Sequence, residues 1–245
     1  MGKVLGLFAG IIAFMGLQAC DEGRLYEEEI PISPEGRTVT LTAHLSGLAT
    51  WPDPSMYVVL AGFNDDSEYA LINKSVPMPQ NEGDEVTVQL SGIKENVNRV
   101  ELCVINRLRR HILAFYTIDE ATLTASNEIE VDAGTLNVGM FNTIQERVFN
   151  ATCVNCHGAA TSAAAGLYLT EGRSYESIVN KPSKKLPEMN IVEPGDAAKS
   201  ALYQALSTDV TITDEWHYNH TAEVVDEGIL ALIRQWITHG AIEDR

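Results

Sequence analysis

Apolar and polar residues alternate with a period of two along the first half of the chain. In "RTVTLTAHL", Val39, Leu41, Ala43 and Leu45 fall on one side, and threonines and a histidine on the other. Similar runs follow in "SMYVVLAGF", "EYALINKSV", "DEVTVQLSGI", "NRVELCVIN", "HILAFYTI" and "NEIEVDAG", separated by turn-rich pieces such as "NDDSE", "PMPQNEGD" and "IKENVN". Successive side chains of a strand point to opposite faces, so each run buries one face and wets the other. Short strands at this spacing predict an all-β antiparallel sandwich over residues 37–138.

From about Met140 the period lengthens. "FNTIQERVFNA" places Phe141, Ile144 and Val148 at helical spacing, with Phe149 and Ala151 flanking that face. "PGDAAKSALYQAL" has Asp196 where a helix N-cap belongs, with Ala197, Leu202, Tyr203 and Leu206 able to face inward. A last helix, about Val224 to His239, carries Val225, Ile229, Leu232, Ile233 and Trp236 on one face, and Gly240 suits its C-cap. The pattern therefore changes near Gly134 to Gly139 and predicts a second, mainly α domain over residues 139–245. The strand count of the first domain resembles the immunoglobulin-like sandwiches, in architecture only, because no Cys…Trp…Cys spacing is present.

Residues 1–36 fit neither pattern. Lys3 precedes the apolar run Val4 to Leu17, which is too short for a stable membrane span and suits the core of a signal peptide. It ends in "LQAC", Leu17 to Cys20, which resembles the lipobox of bacterial lipoproteins. That resemblance implies removal of residues 1–19, lipidation of Cys20, and an acidic tether over residues 20–36. The protein would then be exported and held to a bacterial membrane by its lipid, at the outer membrane or cell surface rather than the cytoplasmic membrane.

Composition narrows the partners. A formal charge of −17 over 245 residues repels phosphate backbones and excludes nucleic acid. Neutral or basic protein partners remain open. Of four cysteines, Cys20 lies in the lipobox and Cys103 sits in a strand-like apolar run as a small buried hydrophobe. Cys153 and Cys156 remain, followed at once by His157.

That C-x-x-C-H stretch is the attachment signature of c-type haem (heme c). Two thiols on one turn can add to the two vinyl groups of a porphyrin, and the next residue is then placed as the proximal iron ligand. Two rivals use the same residues. A Cys₂His₂ zinc site would recruit His217 and His220, but the halves lie far further apart than in zinc fingers. A thiol redox pair would need a βαβ context, and the neighbourhood is helical. His44 and His111 stand alone in the β half, and Asp65, Asp66 and Glu68 form a solvated turn.

Four blocks in order resemble the single-haem cytochrome c domains of bacterial exported proteins, covering about Phe141 to Glu243. They are "FNTIQERVFNATCVNCHGAA", "AGLYLTEGRSYESIVNKPS", "IVEPGDAAKSALYQAL" and "DEGILALIRQWITHGA". The resemblance implies a cytochrome c fold, with first and last helices crossing near Phe141 and Trp236. It also implies thioether bonds from Cys153 and Cys156 to one haem, with His157 as proximal ligand. The family's Met-Pro sixth-ligand motif is missing; the stretch reads "TDEWHYNHTAEVVDEG", and the domain's methionines, Met140 and Met189, lie on the wrong side of the "PGD" helix. Register with the closing helix puts His217 at the ligand position, with His220 as the alternative and His239 expected in solvent. Two imidazoles favour ferric iron and a lower potential than His/Met ligation. The function implied is a membrane-tethered carrier of single electrons to or from a redox partner protein, and not an enzyme. The alternatives are a haem with a labile sixth position that binds small ligands or reacts with peroxide, and an interaction protein whose biology lies in the sandwich.

Overall fold

The computed structural model describes residues 36–51, 55–159, 161–208 and 218–244, which all belong to one compact unit. Cys20, the lipobox and the tether lie outside the described residues, as does His217.

The period-two runs form two sheets. One has the order β4–β1–β7, from Glu85–Ile93, Arg37–Ser46 and Glu128–Asn137. The other has the order β3–β2–β5–β6, from Ile72–Ser75, Met56–Phe63, Arg99–Asn106 and His111–Ile118. Val39, Leu41, Ala43 and Leu45 of β1 and Val86, Val88 and Leu90 of β4 are buried, as the alternation requires, in one core with Val58, Leu60, Leu102 and Val104 of the second sheet. β2 and β5 are buried on both faces, and Cys103 is fully buried on the outer one with Val59, Ala61, Phe63 and Ile105.

The expected all-antiparallel arrangement fails at one pair. β7 runs parallel to β1, from Thr38 beside Glu128 to Ser46 beside Asn137. Alternation reports which face a residue occupies and is blind to the direction of the neighbouring strand. The reversal comes from helix α1 (Glu120–Ala125), which takes the chain out of β6 and delivers it to the other sheet. Asp119 starts that helix by accepting a hydrogen bond from the Thr122 amide at 2.9 Å. The strand expected in "EYALINKSV" shortens to β3, because the Ser67 hydroxyl turns the chain through the Tyr69 amide. Gly134 is not a boundary: it lies within β7 at φ 68°, where the register with β1 shifts.

After β7 the backbone winds as α2 (Met140–Ile144), a π-helical segment (Gln145–Cys153) and α3 (Val154–His157). Short helices α4 (Ser174–Ile178) and α5 (Ala201–Ser207) and the longer α6 (Glu227–Thr238) follow. α2 and α6 meet at Phe141 and Trp236, whose rings are 5.1 Å apart, with Tyr175 and Phe149 edge-on to Phe141. α6 starts three residues later than the apolar pattern predicts. Asp226 caps it through the Gly228 and Ile229 amides, so Val225 lies outside the helix and is 82% exposed. At its other end Gly240, at φ 96°, and Ala241 close the helix on the Ile237 and Trp236 carbonyls. One apolar cluster runs without a break from between the sheets to Trp236 and Ile237.

Candidate functional site

The π winding bears directly on the C-x-x-C-H stretch. Hydrogen bonds in a π-helix run between residues five apart, so Ile144 and Phe149 share a face, and both are fully buried. Ala151, expected to flank that face, is turned to solvent. Gln145 holds the segment. Its buried side-chain amide donates to Asn150 Oδ1 at 2.7 Å and to the Leu169 carbonyl at 3.0 Å, and its Oε1 accepts from the Ser174 hydroxyl. The winding delivers Cys153 half-buried and Cys156 exposed, neither in a disulfide. Burial, and then the Glu223 charge, pushes the Cys153 thiol up to about 11.

His157 ends α3, and two contacts orient it. Its carbonyl accepts from the Leu169 amide at 2.9 Å. Its ring Nδ1 lies 3.0 Å from the Ala164 carbonyl, which can only accept, so Nδ1 carries a proton and Nε2 is the nitrogen left to face a ligand. Gly158 follows necessarily: a Cβ there would come within 2.4 Å of the Val154 carbonyl oxygen.

Facing His157 is His220, at the start of a single 3₁₀ turn, His220–Ala222. The two imidazoles lie 6.3 Å apart, centre to centre, with planes 30° from parallel. Aromatic rings packed offset or edge-on have centres about 4.5–7 Å apart. Two imidazoles bonded to one shared metal at about 2 Å would have centres about 6 Å apart. The observed 6.3 Å falls in the range of packed ring pairs and is also the spacing that two imidazoles on one metal would have. Burial, and then the neighbouring His157, lowers the pKa of His220 and favours the neutral, metal-binding form.

The turn is capped at both ends. Asn219 Oδ1 accepts from the Thr221 amide and hydroxyl at 2.9 and 2.8 Å, and the Glu223 amide donates to the His220 carbonyl at 3.0 Å. The Glu223 carboxylate accepts from the Thr152 hydroxyl on one oxygen and from the Tyr218 hydroxyl on the other. Those bonds, Thr152 first, hold its pKa below the usual carboxylate range. The Tyr218 ring stands edge-on to His220 at 5.0 Å.

Of the residues singled out from sequence, the structure brings together Cys153, Cys156, His157 and His220. His239 is half-buried, with Nδ1 2.9 Å from the Gln235 carbonyl, rather than in solvent. His111 is not isolated: its Nε2 is 2.9 Å from Glu101, which also pairs with Arg99 at 3.2 Å. Asp65 and Glu68 likewise pair with Arg99 and Arg110, so these carboxylates belong to an ion-pair network on the sandwich. Among the described residues, no group of three or more His, Cys, Asp or Glu side chains is arranged to hold a metal ion by itself. Thr152, Glu223 and the Ala164 carbonyl carry no sequence signal, because each acts on a residue distant along the chain or through the backbone. Comparison with family models, curated protein sequences and solved structures finds no match for the chain.

Proposed function

We propose that the protein is a c-type cytochrome, tethered to a bacterial membrane through lipid on Cys20, that passes single electrons to and from a redox partner protein. The observation that carries this reading is the facing pair His157 and His220, at the spacing of two ligands to one metal, beside two cysteines outside any disulfide. Cys153 and Cys156 would hold a haem covalently, and His157 and His220 would bind its iron. Bound there, the haem supplies a one-electron couple. The Ala164 carbonyl fixes the His157 tautomer, and the capped turn presents His220. Register with the closing helix favours His217, which lies outside the described residues; among the described histidines, His220 is the one that faces His157.

The test is an optical spectrum of the purified protein, denatured and native. Haem should remain attached after denaturation, and the native ferric form should be low-spin. His220→Ala should turn it high-spin, and His217→Ala should leave it unchanged. The reverse result would move the ligand to His217, and a high-spin wild type would favour the small-ligand reading. Cys20→Ser should release the protein from membranes; a mature-length, membrane-bound variant would refute the tether.

A further inference from the structure

We propose that Glu223 is a positioning residue that locks the turn carrying His220 to the segment carrying Cys153, and so sets how readily the sixth ligand can leave. This deepens the cytochrome reading and rests on it.

The argument begins with the turn. Three residues of 3₁₀ helix have too few internal hydrogen bonds to hold an imidazole in one place. Something outside the turn must fix it. The bonds of Asn219 stay within the turn, since both go to Thr221. The Glu223 carboxylate reaches away from it. One oxygen takes the hydroxyl of Thr152, the residue before Cys153 and 71 positions away in sequence. The other takes the hydroxyl of Tyr218, whose ring stands against His220. Both are hydrogen bonds to a charged acceptor, about twice as strong as neutral ones. A single side chain thus joins the attachment segment, the ligand's own turn and the ring that limits the ligand's swing. Val224, buried next to Glu223, anchors the backbone on the far side.

A carboxylate near a haem also acts by charge alone, so the test must separate position from charge. Thr152→Val and Tyr218→Phe each remove one hydroxyl and leave the charge of Glu223 in place. Glu223→Gln removes the charge but keeps one acceptor oxygen, and Glu223→Ala removes everything. The measurements are the rate of cyanide binding to the full-length ferric protein and its midpoint potential, with His220→Ala as the open-site reference. Thr152→Val and Tyr218→Phe should each speed cyanide binding roughly tenfold, the change expected for one lost bond to a charged group. Their double variant and Glu223→Ala should approach His220→Ala. If Glu223→Gln shifts the potential while every variant except His220→Ala binds cyanide at the wild-type rate, Glu223 acts only by charge and the proposal is overturned, with the cytochrome reading intact. If His220→Ala binds cyanide no faster than the wild type, His220 is not the sixth ligand and the proposal is overturned; if the wild type carries no covalent haem, the cytochrome reading itself fails and takes the proposal with it.

Discussion

Asp244 caps a helix 103 residues upstream. Its two carboxylate oxygens accept from the Phe141 and Asn142 amides at 2.9 and 2.7 Å, satisfying the open N–H groups where α2 begins. Gly139 makes room for it, since a Cβ at that position would lie 2.0 Å from an Asp244 oxygen. Asp244→Ala and Gly139→Ala should each lower stability by about 1 kcal/mol, the usual value of an N-cap, in denaturant melts. The pH dependence has a definite sign. Burial raises the Asp244 pKa, against the pull of the two amides, so the folded state holds the proton more tightly than the unfolded one. The contribution of this group to stability therefore falls as pH rises from the ordinary carboxylate value through the raised one, then levels. Asp244→Asn should flatten that part of the stability–pH curve; an unchanged slope would exclude Asp244 as its source.

At the scale of elements, the π-helical segment depends on Gln145. Its amide and carbonyl tie Asn150, the Leu169 backbone and Ser174 together in a site only 4% exposed. Gln145→Leu would leave the Leu169 carbonyl and the Ser174 hydroxyl buried and unpaired, at about 1–3 kcal/mol for each group stranded, while the exposed Asn150 would turn to water. A lowered melting temperature and a weaker haem spectrum are the expected outcomes; a fully wild-type spectrum would show that the winding does not need the amide. This element also marks where sequence reasoning stops. Period two located β1 and β4, and period 3.6 located α6, because each is a local pattern facing a single core. The π winding and the parallel β1–β7 pair leave no local pattern. Cys153, Cys156 and His157 stand out in the sequence because the proposed covalent attachment would demand a fixed local spacing. The Thr152–Glu223 bond was not, because its partners meet only in three dimensions.

For the whole molecule, the two sequence patterns do not mark two separate cores. The apolar cluster passes from the sandwich into the helices, and polar ties cross the same boundary. The Met140 amide donates to Thr50 Oγ1 at 2.9 Å, Arg147 to the Ala114 carbonyl at 2.7 Å, and Gln235 to the Ser55 hydroxyl. A fragment of residues 138–245 should therefore still attach haem through its own residues but unfold at a lower temperature than the full chain. Equal melting temperatures would show that the shared core adds nothing.

The Asp244 cap has a consequence in time. A chain made from its N-terminus adds Cys153, Cys156 and His157 long before Asp244. Throughout that interval the amides of Phe141 and Asn142 have only water as partners, and the helix entering the cysteine pair is at its least anchored. The arrival of Asp244 ends this stage, so the helix that leads toward Cys153 and Cys156 gains its N-terminal cap only after α6 has been made.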